Sequence, residues 1–182
     1  MSSTSAPFGA RPSYSPSGVV RPTAYSILST YAAYIYQNQP VKLVDGQLEA
    51  AAVGDRFIGT FQGVEFTDTD GRRRISNKWT ISTVGTDIVA YATLDPSIVY
   101  EIQSNAAMTV ADIGAQYDFT TASGNTTTGL SAQMLDVASV ANNASFRVIG
   151  LTPGPNNAWG DTYVIVQVQI SEHQNVADVA DY

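Results

Sequence analysis

The chain of 182 residues contains no cysteine, so disulfides and thiolate metal sites are excluded. At this length the fold needs no such staple, because a chain of this size buries roughly 70% of its extended surface. Charge is also scarce: only 14% of residues are Asp, Glu, Lys or Arg, which leaves a neutral, polar surface with little long-range field. Long apolar runs are missing. The most apolar early stretch, Tyr31 to Tyr36, is far too short to span a bilayer, and Met1 to Ser5 lacks the basic start and apolar stretch of a secretory signal. The protein is therefore expected to be soluble where it is made, with no membrane partner. Histidine occurs once, as His173. A Ser-His-Asp relay needs a histidine fixed by a carboxylate and facing an activated serine. His173 follows the last expected strand, beside a tail expected to be mobile, and no serine sits in a glycine-flanked elbow.

The charge that is present is unevenly placed. From Met1 to Val44 the only charged residues are Arg11, Arg21 and Lys42, giving +3; the remainder is −10, since −7 − 3 = −10. An acidic body argues against sequence-independent nucleic-acid binding, which needs clustered Lys and Arg against phosphate. Pro7, Pro12, Pro16 and Pro22 punctuate residues 1–24. Proline fixes φ and restricts the residue before it, so this stretch reads as an extended arm that can reach roughly 70 Å. Its arginines and aromatics suit a partner's surface, which makes Arg11, Tyr14, Arg21 and Tyr25 candidate contacts; the alternative is a disordered tail. On this reading, deleting the arm leaves a folded body.

Residues 25–171 read as a β domain. Val41–Val44 and Gln47–Ala50 flank Asp45-Gly46, a hairpin signal. Arg56 to Thr67 is rich in Phe, Ile, Val and Thr, and its Gly59 and Gly63 predict bulges or close backbone approach. Further strands are predicted at Ile75–Ile81, Ile88–Leu94, Ile98–Gln103, Phe146–Leu151 and Tyr163–Ser171. In the last, Val164, Val166, Val168 and Ile170 form one apolar face. Short helices are weakly indicated in Thr23–Tyr36 and Met134–Val140. The fold class is mainly β: a single β-barrel or β-sandwich, jelly-roll-like, with an extended N-terminal arm and an acidic, mobile tail over residues 172–182.

Motifs for chemistry are incomplete. Asp68-Thr69-Asp70-Gly71 starts like a calcium loop, but Arg72, Arg73 and Trp79 occupy the fifth, sixth and twelfth positions, where a ligand, glycine and glutamate are required. A tight turn is the better reading. Arg72 to Arg74 form the body's only basic cluster, so Arg72 and Arg73 join the candidate partner contacts, partly neutralised by Asp68 and Asp70. Sixteen acidic residues single out no glycosidase pair. Gly124 to Gly129 lacks the lysine of a phosphate loop. Trp79 and Trp159 offer sugar-stacking surfaces, although a lone tryptophan beside strands more often belongs to a core. No catalytic, cofactor or metal residue is assigned, and the chain reads as a non-enzyme.

The runs Gly54 to Asp68, Ser76 to Trp79, Asp112 to Ala115, Phe146 to Leu151 leading to Asn157–Asp161, and Ile170 to Gln174 resemble capsid cement or decoration proteins of tailed bacteriophages. The likeness extends from about Tyr25 to Gln174. It implies a virion structural protein, made in the host cytoplasm, that sits on the capsid exterior at subunit junctions. Its implied partners are the major capsid protein and further copies of itself, as a trimer or dimer. A carbohydrate- or receptor-binding β-module of a tail or adhesion structure is the alternative reading, which shares the abundance of Tyr, Asn and Thr.

Overall fold

The computed structural model describes residues 4–176. Regular structure is almost all antiparallel strand. One sheet has the order β1 (Arg11–Tyr14), β10 (Val99–Gln103), β13 (Ile165–Ile170), β12 (Phe146–Leu151) and β11 (Gln116–Tyr117). The other runs β2 (Pro22–Tyr25), β9 (Gly85–Thr93), β6 (Gly59–Asp68), β4 (Pro40–Val44) and β5 (Gln47–Ala50), with β7 (Arg73–Ser76) on the far half of β6. A small ladder joins β3 (Ile35–Tyr36) to β8 (Lys78–Trp79). The architecture is sandwich-like. A single parallel bridge, Ser26 to Gln47, brings the ends of the second sheet together without closing it into a barrel.

Each sheet has its own core. Along β13 burial alternates as expected, with Val166, Val168 and Ile170 pointing inward. They join Phe57, Tyr100, Phe119 and Phe146, whose rings meet edge to face. The second core gathers Ile35, Val41, Leu48, Ile58, Phe61, Val64 and Trp79. Trp79 is thus a core residue, and Trp159 packs half-buried against the first core.

The local signals that hold are those of backbone chemistry. Asp45 and Gly46 both adopt positive φ (50° and 79°) between the paired Val44 and Gln47, the geometry a two-residue hairpin loop requires. Gly59 has φ 157°, and a β-carbon there would overlap the Thr93 carbonyl and hydroxyl. The ladder of β6 with β9 slips at Phe61/Gly63, the expected bulge. The Ile75–Ile81 stretch splits at Asn77 into β7 and β8, leaving Ile81 in a turn.

Two expectations are corrected. First, residues 11–25 are not a detached arm. They run antiparallel to the chain that crosses from one sheet to the other: Arg11 pairs with Glu101, Tyr14 with Val99, Pro22 with Thr93 and Tyr25 with Ala90. The prolines are accommodated because β1 and β2 are edge strands, where a missing N–H faces outward. Second, Glu172–Val176 are fixed in place. The Gln174 backbone N–H donates to the Phe57 carbonyl (3.0 Å), and its side-chain amide exchanges hydrogen bonds with Leu43 N–H (2.8 Å) and C=O (2.7 Å). Residues 177–182 of the expected tail lie outside the described part. Neither short helix forms as expected: Thr23–Tyr36 contributes β2 and β3, and Met134–Val140 holds only a one-turn 3-10 segment at Val137–Ser139, capped by Asp136.

Candidate functional site

The six candidate contact residues fall in three places. Arg11 and Tyr14 lie on edge strand β1. The Arg11 guanidinium pairs with Glu101 at 2.6 Å and stacks 4.9 Å from the Phe8 ring centroid, so its charge is largely answered within the chain. Arg21 is exposed just before β2 with no ion-pair partner among the described residues, while Tyr25 is half-buried against the second core, which raises its phenol pKa by desolvation. Arg72 and Arg73 sit beyond the opposite end of the same sheet, on the β6–β7 hairpin. Arg73 reaches Glu65 (3.3 Å), Arg72 reaches Asp70 (3.7 Å), and neighbouring Arg74 reaches Asp68 and Asp70 (3.2 and 3.1 Å). Glu65 also accepts from the Tyr91 hydroxyl at 2.7 Å, and this bond, more than Arg73, holds its carboxyl below the usual range. The structure does not assemble the six into one patch. Among the described residues, no three His, Cys, Asp or Glu side chains gather to hold a metal ion, and no helix is long and apolar enough to cross a membrane.

Sequence reasoning missed a polar corner where the chain turns between sheets. Asp95 accepts from the Ser97 hydroxyl (2.6 Å) and N–H (2.8 Å), the Ser17 hydroxyl (2.7 Å) and the Ser15 hydroxyl (2.9 Å). These bonds, led by those from Ser97, hold its carboxyl far below the usual carboxylate range. Asp95-Pro96-Ser97 is an Asx-turn signature, the one local signal that marks the corner. His173 lies nearby and is only 3% exposed; its Nδ1 accepts from Asn175 N–H at 3.1 Å. Burial pushes its pKa down, opposed by the backbone of Ile58 and Leu94 and by the charge of Asp95.

Both shifts make the fold sensitive to acid, in different windows. A histidine whose folded pKa is lowered lets the unfolded chain take up the proton first, so stability falls as pH drops below about 6.5. Asp95, also lowered, contributes fully above the unfolded value of about 3.9 and loses that contribution as pH falls further. Asp95→Ala is expected to cost on the order of 1.5–3 kcal/mol at pH 7, the range for hydrogen bonds to a charged group. Thermal melts at pH 7, 5 and 3 test this. The difference between wild type and variant should hold from pH 7 to 5 and narrow at pH 3.

A second missed feature is an apolar ledge. The 28–31 and 80–84 loops are zipped together by Thr30 N–H to Thr83 O and Ser82 N–H to Tyr31 O, both 2.9 Å. On them Leu28, Ile81 and Val84 are 53%, 41% and 52% exposed. Singly exposed apolar residues are ordinary, and these three are notable for sitting on two loops braced against each other. No model of a known protein family, no curated protein and no solved structure matches this chain.

Proposed function

We propose that this chain is a virion structural protein that binds the outer surface of a capsid where subunits meet and stabilises the shell. The resemblance of Gly54–Asp68, Ser76–Trp79, and Phe146–Leu151 with Asn157–Asp161, to phage head-decoration proteins motivates the reading. The structural observation that supports it is the ledge of Leu28, Ile81 and Val84, which presents apolar surface on loops already ordered. A contact made by preordered loops loses little entropy on binding. The partner is the major capsid protein, and the chain self-associates as a trimer or dimer around the junction. Each standard-size contact buries roughly 1,600 Å² in total, surface that an expanding shell would have to expose again. Repetition around a junction multiplies modest contacts into avidity. The acidic body disfavours contact with nucleic acid.

Replacing Leu28 and Val84 together with lysine tests the ledge. The double variant should keep the wild-type melting temperature, because both side chains are outside the cores, and should bind shells roughly tenfold more weakly or worse. Shell occupancy equal to wild type, measured by sedimentation at matched concentrations, would remove the ledge from the interface.

A further inference from the structure

A groove of about 440 Å³ opens between the two cores. One wall carries Tyr34, Tyr36 and Gln39; the other, from the far side of the chain, carries Thr121, Ser123 and Gln133. Its location where two packed units meet, and its size, are those of small-ligand sites. We infer that this groove binds a neutral saccharide of about one or two sugar rings, an inference independent of any attachment to a shell.

Three observations carry it. None of the fourteen lining residues bears a charge, so the groove offers nothing to a phosphate, carboxylate or ammonium group. Tyr34 and Tyr36, two apart on extended backbone, stack with ring centroids 5.6 Å apart and planes 14° from parallel. The backbone at Gly124 lies so close to the Tyr36 ring that a β-carbon there would overlap it, which fixes that ring. Tyr36 is itself only 4% exposed and backs the half-buried Tyr34, whose ring offers a rigid aromatic face that matches the C–H face of a pyranose. Finally, most side-chain polar groups on both walls are left without a partner among the described residues. The Gln39 carbonyl oxygen accepts from Tyr36 N–H (2.9 Å) and that of Gln133 from the Ser131 hydroxyl (3.3 Å). The amide nitrogens of both, the two phenol hydroxyls and the Thr121 and Ser123 hydroxyls have no partner among the described residues. Neutral amides and hydroxyls, able to donate and accept, complement vicinal sugar hydroxyls.

An extended peptide fits less well. The β5 side of the groove offers no free strand edge, because its N–H groups are committed: Ala50 to Tyr31 Oη (3.1 Å), Ala51 to Pro40 O (3.0 Å) and Ala52 to Asp55 (2.8 Å). Strand addition needs such donors. Trp79, a sugar platform suggested by sequence, is fully buried, so the half-buried Tyr34 takes that role.

Calorimetric titration of the purified full-length chain with cellobiose, maltose, lactose and N,N′-diacetylchitobiose tests the assignment. At least one should bind saturably with one site per chain. Tyr34→Ala should weaken that binding roughly tenfold or more, a change worth about 1.4 kcal/mol. Ala122→Trp, at an exposed position on the rim, should fill the groove and abolish binding without altering the melting temperature; it decides the matter if Tyr34→Ala does not fold. Absence of binding for all four sugars would overturn the inference, as would sugar binding that survives Ala122→Trp. Binding of a decaproline peptide in place of the sugars would overturn it too, and would reassign the groove to peptide.

Discussion

A chain lacking residues 1–24 is expected to lose its cooperative thermal transition. The deletion removes β1 from the first sheet and all but the last residue of β2 from the second, stripping one edge from each. It also removes the fully buried Ala10 and two of the three serines that hold Asp95. Each lost backbone bond costs about 0.5–1.5 kcal/mol net, and bonds to a charged group about 1.5–3 kcal/mol. Summed over two strands and the corner, the loss is comparable to the entire stability of a domain, about 5–15 kcal/mol. Scanning calorimetry on the truncated chain checks this directly. A truncated chain that melts at the wild-type temperature would return these residues to the status of a detachable arm.

Phe146→Ala carries the next largest expected effect, a loss of about 3–5 kcal/mol. Phe146 is fully buried, and its ring meets three others, with centroids 5.3 Å from Phe57, 6.2 Å from Phe119 and 6.4 Å from Tyr100. Those partners come from separate parts of the chain, so the cavity cannot be refilled by one local adjustment, and the cost should fall at the high end. Ile75→Ala is the internal control. That side chain is 83% exposed on β7, and its removal should change stability by no more than about 0.5 kcal/mol. Denaturant unfolding of both variants gives the comparison. Equal midpoints would show that the ring cluster contributes nothing beyond a surface position.

The parts of this fold that were legible in sequence are those where a few adjacent residues determine the backbone. Asp45-Gly46 announced its hairpin, Gly59 its close approach to a neighbouring strand, and Val164 to Ile170 an inward face. The N-terminal segment was illegible because Arg11–Tyr14 and Pro22–Tyr25 are edge strands of four residues, mostly exposed and without apolar alternation. What orders them is the partner strand, some seventy to ninety positions later, and no local signal encodes that. His173 was misjudged for the same reason: its neighbours in sequence are polar, and its bridge is to distant Phe57. Arg72 to Arg74 were read as a basic cluster with partial neutralisation from Asp68 and Asp70. The structure adds Glu65, which sits across the hairpin and so is close only after β6 and β7 pair. For the groove, the period-two spacing of Tyr34 and Tyr36 put both rings on one side of an extended segment, but the opposite wall arrives only with residues 119–133.

These features give the chain the form of a stiff block: two cores, a crossing segment matched strand for strand by residues 11–25, and a C-terminal stretch pinned onto β4. Stiffness of this kind suits a clamp, because force applied across it must break cooperative packing before it can lengthen. The central claim is that the clamp holds a capsid shell together. The most direct measurement takes expanded and unexpanded phage shells that lack the protein, adds the purified chain, and records both co-sedimentation and the temperature at which the shells rupture. Saturable binding with a rise in rupture temperature is the result the claim requires. No binding to either form of shell, or binding that leaves rupture unchanged, would contradict it.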